Sequence, residues 1–365
     1  MNPNTLRQLS ICVLGAGAGG LALAGDLIAR GHRVRLWNRT AARLAAVESA
    51  GGIVASGIRT GVFPPDVATT DIGEALAGCG IVIVATTADV HGAVAQLAAT
   101  HRSEHHSFIL SPGKTGGALL FRRALAAVGE APSLRIAEAQ SMVFASRQRE
   151  AGVDVIAEKA RVPVAALPND EDPDWLGPAV DLFPAWQQVD NVLETSFENI
   201  GSVLHPILTL LNAAAVEHRD DGLMYHRTPP RIAAALEALD AERRAAALAY
   251  GIATHSLSEW ISTAYPGGSG SSLVEQLDET MAYRSVALPD SLDSRFLTED
   301  VPTGLVPLHA FGAAAGVHMP LTASVIHMCC AVLDRDFWRE GRNLAALGLG
   351  DMSPNEIRRH VGVPD

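Results

Sequence analysis

Lysine is almost missing from this sequence. The 365 residues include only two lysines, Lys114 and Lys159, and the formal net charge is −12. An acidic chain of this kind does not offer the basic surface that nucleic acid or an anionic membrane would attract. No run of 18 apolar residues is free of polar breaks, so no membrane-spanning helix is predicted. We expect small molecules, and neither nucleic acid nor a membrane, as the partners.

Cysteine is also scarce, with four residues, and none of them has the spacing of a metal site. We therefore expect buried, reduced thiols and no metal. The first ten residues are polar and lack the pattern of a signal peptide, which predicts a cytoplasmic protein. Charged residues make up 19% of the chain and apolar residues 48%, as in a globular protein with room for two domains.

A glycine-rich turn is the most informative motif that is present. The segment 11–20 reads ICVLGAGAGG, an apolar run of strand character that enters a G-x-G-x-x-G turn and leads into an alanine-rich helix pattern. In dinucleotide-binding proteins, such glycines allow the turn, the approach of a pyrophosphate and close packing of the helix on the strand. A glycine turn without a ligand is the alternative. The predicted cofactor-binding residues here are Gly15, Gly17, Ala18, Gly19 and Gly20.

The end of the second strand predicts the choice of cofactor. An NAD-preferring site usually carries an acidic residue there to accept a hydrogen bond from the ribose 2′-hydroxyl. This chain has Asn38, Arg39 and Thr40 instead, and a guanidinium with a hydroxyl suits a 2′-phosphate. We expect NADP(H) to be preferred. NAD(H) stays open, with Asn38 on the plain ribose and Arg39 in solvent.

Strand and helix patterns alternate over residues 1–165, which predicts an α/β fold with a doubly wound parallel sheet of the Rossmann type. An acidic, proline-bearing stretch at 168–175 follows. Residues 166–365 then carry mainly helical patterns, and we expect a helical substrate domain there. Cofactors bind at the carboxyl ends of the strands in such sheets. The cofactor candidates after two further strands are Thr86, Thr87, Pro112 and Gly113.

A polar series interrupts the apolar helix pattern at 197–212. Asn199, Ser202 and His205 recur every three residues and are expected to share one helix face, with Pro206 directly behind. A hydride transfer to a carbonyl or imine needs a proton donor, and histidine is the usual acid/base near neutral pH. His205 is our candidate for that role. A hydrogen-bonded structural histidine is the alternative.

A second cluster lies at 293–305. Arg295 could hold a carboxylate through two hydrogen bonds, and Asp300 could orient an imidazole. We expect Asp300 and His205 to form a hydrogen-bonded pair across the domain cleft. The acidic pair before Pro302 also fits a plain helix start.

Several of these segments resemble the octopine/nopaline (opine) dehydrogenase family over nearly the whole chain. The motifs are GAGAGG near the start, EAQS at 138–141 with Arg147 after it, HPILTLLN at 205–212, DAER at 240–243 and RFLTEDVPTGLVPL at 295–308. The resemblance implies that His205 is the acid/base, Asp300 its partner and Arg295 a ligand of the substrate carboxylate. The further candidates are Asn199, Ser202 and Asn212 for the substrate and Glu138 for the cofactor.

The family reaction implied is the reductive condensation of an amino acid with a 2-oxo acid, such as pyruvate or 2-oxoglutarate, through an imine. The implied fold is a Rossmann domain followed by a helical domain like the C-terminal one of 6-phosphogluconate dehydrogenase. One departure is the loop at 226–230, where Arg227 could change the accepted substrate.

Two other functions remain open. An NADP-dependent hydroxyacid dehydrogenase or ketopantoate-type reductase would share the plan but typically uses a lysine of the helical domain, and this chain has none there. A non-catalytic NADP-binding sensor would keep the glycine turn without needing His205, Arg295 and Asp300 together. The apolar helices at 305–333 could bury in a homodimer or in the domain core.

Overall fold

The protein is described by a computed structural model that covers residues 8–128, 134–149, 152–168, 174–265 and 270–363. Most of the loop predicted at 168–175 lies outside the described residues. None of the described helices is both long enough and apolar enough to span a lipid bilayer.

An eight-stranded sheet forms the centre of the N-terminal half, in the order β12-β11-β8-β7-β6-β1-β2-β5. All neighbours are parallel except β8 and β11. A second sheet, in the order β4-β3-β10-β9, lies beside helix α1. The strands are β1 Ser10–Leu14, β2 Arg33–Trp37, β3 Ile53–Gly57, β4 Gly61–Phe63, β5 Val67–Thr69, β6 Ile81–Val84, β7 Ser107–Leu110, β8 Arg135–Ala139, β9 Phe144–Arg149, β10 Gly152–Glu158, β11 Val162–Ala166 and β12 Trp186–Gln188.

The strand order reverses at β1. From β1 the chain proceeds outward through β2 and β5, and then returns to β6 on the other side of β1. Such a reversal opens a crevice at the carboxyl ends of the two central strands, which is where ligands bind in doubly wound sheets. The loops after β1 and β6 therefore meet at one edge of the sheet. This edge holds the predicted glycine turn.

Helices make up most of the chain after residue 190, as the sequence predicts. The α-helices of the whole described chain are α1 Ala18–Ala29, α2 Ala41–Ser49, α3 Ile72–Leu76, α4 His91–Ala99, α5 Gly117–Ala126, α6 Gly177–Val180, α7 Val192–Phe197, α8 Gly201–Leu211, α9 Ala213–His218, α10 Pro230–Ala249, α11 Leu257–Ala264, α12 Leu273–Glu279, α13 Arg295–Thr298, α14 Val306–Ala314, α15 Pro320–Leu333, α16 Phe337–Glu340, α17 Leu344–Leu347 and α18 Pro354–His360. The predicted fold class, a Rossmann-type sheet followed by a helical domain, is confirmed. The predicted boundary at 165/166 stays a prediction, and β12 after it completes the sheet.

Two helical segments differ from the sequence prediction. Helix α8 begins only at Gly201, so Asn199 lies before the helix and does not share a helix face with His205, contrary to expectation. The segment around 300 is not a plain helix start either. The short α13 is followed by one π-helical stretch, Val301–Leu305, that leads directly into α14. A π-helical turn changes the positions of the side chains before it relative to those after it. Asp300 is the residue directly before this turn.

Candidate active site

The glycine turn after β1 has the geometry of a dinucleotide cradle. Gly15 has φ +122°, and a side chain there would press on the Ala85 backbone of the neighbouring strand's end. A Cβ on Gly20 would lie 1.9 Å from the Gly15 carbonyl oxygen, so only glycine lets α1 pack this close. The position of Gly17 faces open space, with no atom within 4 Å of a Cβ. The backbone of Gly17, Ala18 and Gly19 at the start of α1 therefore fits a diphosphate.

The end of β2 organises this turn from the side. The Asn38 carboxamide accepts a hydrogen bond from the Ala16 N–H at 3.1 Å and donates one to the Thr40 carbonyl at 2.9 Å. The carboxamide oxygen of Asn38 is thus already hydrogen-bonded within the loop. Arg39 and Thr40 are exposed. They are the side chains of this segment that are free to face the adenosine end of a cofactor.

The other cofactor candidates lie at the same edge of the sheet. Thr86, after β6, has a buried hydroxyl oxygen without a hydrogen-bond partner among the described residues, which fits a ligand contact. Thr87 is exposed at the start of a 3₁₀ turn. Pro112 and Gly113 follow β7, and Gly113 packs so tightly that a Cβ would meet the Glu138 side chain at 2.5 Å.

Glu138, a further cofactor candidate, is hydrogen-bonded within the protein. The side chain is completely buried, and one carboxylate oxygen accepts from the Ala118 N–H at 2.7 Å. The other accepts from the hydroxyls of Thr195 and Ser196 at 2.6 and 3.0 Å. Burial raises the pKa of Glu138, although these hydrogen bonds act to lower it. Both oxygens are hydrogen-bonded within the protein, and Glu138 holds α5 and α7 to the sheet. The predicted contact of Glu138 with the cofactor stays a prediction.

His205 and Asp300 form the expected hydrogen bond. The imidazole Nδ1 lies 2.7 Å from one Asp300 carboxylate oxygen, and Asp300 has no exposed surface. The pair does not span the domain cleft as predicted, since both residues belong to the C-terminal half. With Nδ1 held by Asp300, Nε2 is the nitrogen that can exchange a proton with a substrate. No described residue hydrogen-bonds to Nε2.

The residue that reaches across from the N-terminal half is Lys114. Its ammonium lies 2.5 Å from the second Asp300 oxygen, and the side chain is 8% exposed. Asp300 therefore bridges a lysine of the Rossmann half and a histidine of the helical half. This contact was not predicted from the sequence. Its one available signal was the rarity of lysine combined with the position of Lys114 at the carboxyl end of β7.

The loop that carries Lys114 is fixed from the helical side. Lys114 itself has φ +61°. Arg342, fully buried, donates to the carbonyls of Gly113 and Thr115, and the Thr115 hydroxyl donates to the Ser196 carbonyl. These bonds hold an uncommon backbone conformation in place. The ammonium is thus positioned before any substrate arrives.

The electrostatics of the three groups are coupled. Burial alone would raise the pKa of Asp300, but the Lys114 ammonium and the His205 imidazole together hold it well below its usual value. The pKa of His205 is lowered, first by burial and then by the charges of Lys114 and Arg295, with Asp300 opposing. Asp300 therefore stays ionised, and His205 can switch protonation state.

The residues predicted to bind the substrate differ in exposure, and Arg295 is the exposed one. Arg295 is 61% exposed at the rim, with its guanidinium 3.8 Å from Glu299 and 5.2 Å from the Phe296 ring centre. Phe296 in turn packs on His205, with ring centroids 4.7 Å apart. This brings Arg295 to the mouth of the His205 site, and its role as a ligand of the substrate carboxylate stays a prediction.

Three other candidates are engaged within the protein. The Asn199 amide donates to the Thr115 hydroxyl, and the Ser202 hydroxyl donates to the Asn199 carbonyl. Both side chains are buried and join α8 to the Lys114 loop. Asn212 ends α8 at the far side from His205 and donates to the Leu208 carbonyl. The three side chains are thus hydrogen-bonded within the protein, and their predicted contacts with the substrate stay predictions.

Two family models match the chain. The model described as NAD/NADP octopine/nopaline dehydrogenase, alpha-helical domain, matches residues 188–333. The model described as NAD-dependent glycerol-3-phosphate dehydrogenase N-terminus matches residues 10–115, the part that carries the glycine turn.

Among curated relatives, an opine dehydrogenase of Arthrobacter sp. (strain 1C) is 38% identical over 98% of this chain and 99% of its own length. Two solved structures share the fold. One is octopine dehydrogenase with NADH and L-arginine, which has a TM-score of 0.78 and 20% sequence identity. The match covers 96% of this chain and 98% of that chain. The other is yersinopine dehydrogenase with NADP⁺, which has a TM-score of 0.72 and 18% sequence identity. The match covers 97% of this chain and 98% of that chain.

Proposed function

The chain belongs to the octopine/nopaline (opine) dehydrogenase family, and we propose that it condenses an amino acid with a 2-oxo acid and reduces the resulting imine with NADPH. Membership confirms the resemblance seen in the motifs and makes the protein an NAD(P)-dependent oxidoreductase. The product would be an N-(carboxyalkyl) amino acid. This reaction needs a proton donor beside the reacting carbon and cations for two carboxylates.

One observation carries the proposal: the His205 imidazole is hydrogen-bonded to a buried, ionised Asp300 and keeps Nε2 without a partner among the described residues. A carboxylate on Nδ1 fixes the imidazole's tautomer and stabilises the imidazolium. His205 would donate its Nε2 proton to the nitrogen or oxygen of the substrate. The bound dinucleotide supplies the hydride.

Arg295 would hold the carboxylate of the 2-oxo acid at the mouth of the site. Its planar guanidinium can give two parallel hydrogen bonds to a carboxylate, and its present partner, Glu299, lies at a loose 3.8 Å. The neighbouring structures contain arginine in one case and pyruvate in another, which supports an amino acid and a short 2-oxo acid as the substrate classes.

NADPH would be the preferred cofactor. Arg39 is exposed beside the glycine turn, and this segment offers no carboxylate to repel a 2′-phosphate. A structural neighbour binds NADP⁺ and another binds NADH, so the family accommodates both.

The direct test is NADPH oxidation with a matrix of amino acids and 2-oxo acids, each pair compared with its two single substrates. Turnover that requires both substrates, with the N-(carboxyalkyl) amino acid identified by mass spectrometry, is the expected result. Oxidation with the 2-oxo acid alone would mean a hydroxyacid dehydrogenase instead. No oxidation with any pair, in a protein that still binds NADPH, would favour the sensor.

A further inference from the structure

The second lysine of the chain, Lys159, is buried where α/β and helical halves meet. It follows β10 and is 7% exposed. Its ammonium donates one hydrogen bond, to the Met142 carbonyl at 2.7 Å, and lies 5.6 Å from the ring centre of Tyr265. An ammonium can donate three hydrogen bonds. Two of its donors therefore have no partner in the described part of the chain.

Lys159 also has no counter-ion among the residues that the structure describes. No carboxylate of the described residues lies within ion-pair distance of it. The adjacent Glu158 is turned away and pairs with Arg59 at 2.7 Å. The charged group that acts on Lys159 is another cation, Lys114. Burial first and Lys114 second lower the pKa of Lys159 to about 7.

Two sets of contacts connect Lys159 to the candidate active site. Met142, to which it donates, packs against Gly19 of the glycine turn and accepts a contact from the Ser111 hydroxyl at 3.8 Å. Tyr265, over which it lies, begins a row of rings that continues through Tyr283 and Tyr225 to His205. The successive centroid distances are 5.5, 4.4 and 6.4 Å. Lys159 thus lies between the cofactor edge and the aromatic wall of the His205 site.

A buried ammonium without a carboxylate is costly to the folded protein, and such groups normally have a partner. Here the Tyr265 ring lies beside the ammonium, and the charge that acts on it, that of Lys114, is repulsive. The proposed reaction uses two carboxylate substrates. Arg295 offers one cation at the rim. We propose that Lys159 binds the second carboxylate, from either the 2-oxo acid or the amino acid, inside the site. This inference rests on the proposed function.

Binding should then take up a proton. The ionisable groups that face Lys159 are Lys114 and Tyr265, since Glu158 points to Arg59. A carboxylate beside Lys159 favours its charged form and raises its pKa. Near pH 7.5, part of the population must therefore gain a proton when the carboxylate binds. Such uptake appears in calorimetry as a dependence of the binding enthalpy on the ionisation enthalpy of the buffer.

The test compares wild type with Lys159→Met and Lys159→Arg, and with Arg33→Met as a matched loss of one positive charge. Arg33 lies exposed at the opposite, amino end of β2. In Lys159→Met, we expect the KM of one substrate to rise about 10- to 100-fold, the loss of a charge-assisted hydrogen bond. Which KM rises, that of the 2-oxo acid or of the amino acid, assigns the carboxylate. Lys159→Arg should recover part of the loss, and Arg33→Met should behave as wild type.

Two measurements separate this role from a structural one. The Kd of NADPH should stay within about twofold, and the Tm of Lys159→Met should equal or exceed that of wild type, because a buried unpaired ammonium is removed. A lower Tm with a weaker NADPH complex and unchanged KM values would make Lys159 structural and overturn the proposal.

Direct binding keeps the test independent of turnover. Pyruvate, 2-oxoglutarate and free amino acids are titrated by calorimetry into the NADP⁺ complex, in phosphate and in Tris buffer. Binding with proton uptake in wild type, absent in Lys159→Met, supports the lysine even if no substrate pair is reduced, so a failed condensation reaction and a failed Lys159 role give different results. Equal binding by both proteins overturns the proposal, and so does no binding to wild type.

Discussion

The buried part of the candidate site and its exposed rim use charge in opposite ways. His205, Asp300 and Lys114 are held by each other at 2.5–2.7 Å, and their side chains are at most 16% exposed. At the rim, Arg295 is 61% exposed with a loose partner at 3.8 Å, and Arg39 is exposed. The buried groups have their positions fixed before a substrate arrives. The rim groups are free to form new contacts when a ligand binds.

This difference assigns different tasks to the two regions. Preorganised charges in a dry site act strongly on a developing charge and require no rearrangement during the reaction. Exposed guanidinium groups gain less, because water screens them, yet they can discriminate between ligands by geometry. We therefore expect substitutions in the buried cluster to affect turnover and stability, and those at the rim to affect selectivity.

Removal of the proton donor should have the largest effect. We expect His205→Ala to lower kcat by about 10²–10⁴-fold, the usual scale for a general acid/base, with NADPH affinity little changed. In the same variant, the pH–rate profile should lose the limb that reports His205, whose pKa is lowered by burial. His318→Ala, an exposed histidine before α15, is the control. Near-normal turnover of His205→Ala would refute the catalytic role.

Loss of Lys114 tests the coupling within the cluster. Lys114→Met leaves the Asp300 carboxylate buried with His205 alone, and breaking a buried ion pair typically costs about 3–5 kcal/mol of stability. The Lys114 charge lowers the pKa of His205, so its removal should raise that pKa. In the proposed reaction, His205 donates the proton, so the rate of reduction should fall at a higher pH in the variant than in wild type.

Chemical denaturation and the pH profile of kcat/KM measure these two effects separately. Lys114→Arg keeps the positive charge and should restore the profile toward that of wild type. A profile of Lys114→Met that superimposes on the wild-type curve, with stability alone reduced, would show that Lys114 only holds the halves together.

The contrast also explains what the sequence could predict. The glycine turn is one continuous segment whose strand, turn and helix are set by local chemistry, and its parts lie where the motif indicates. The helical second half follows equally from local periodicity. The strands of the second sheet, β3, β4, β9 and β10, were not predicted, because glycine or polar residues interrupt their apolar pattern.

Contacts between distant segments were harder to foresee. Asp300 meets Lys114 across 186 positions, and a lysine in a loop gives no local sign of such a partner. Glu138 shows the same difficulty. It was named for the cofactor with the family resemblance, and its hydrogen bonds from the hydroxyls of Thr195 and Ser196, more than fifty positions later, have no local sign in the sequence.

At the rim, Arg39 should decide the cofactor. We expect Arg39→Ala to weaken NADPH binding by about 1–3 kcal/mol, the range of a charge-assisted hydrogen bond, and to leave NADH nearly unchanged. Fluorescence titration with both cofactors measures the difference. Arg33→Ala, at the other end of β2, controls for the loss of charge. Equal losses for NADPH and NADH would mean that Arg39 does not contact the 2′-phosphate.

The smallest change is expected for Arg295→Lys, because the positive charge is kept. An ammonium cannot give the two parallel hydrogen bonds of a guanidinium, so the KM of the 2-oxo acid should rise by roughly two- to tenfold, the value of one hydrogen bond. The KM of the amino acid and the Kd of NADPH should not change. Arg339→Lys, the same exchange at an exposed position on α16, is the control. If the amino acid KM rises instead, Arg295 binds the other substrate, and unchanged KM values for both would leave Arg295 outside the site.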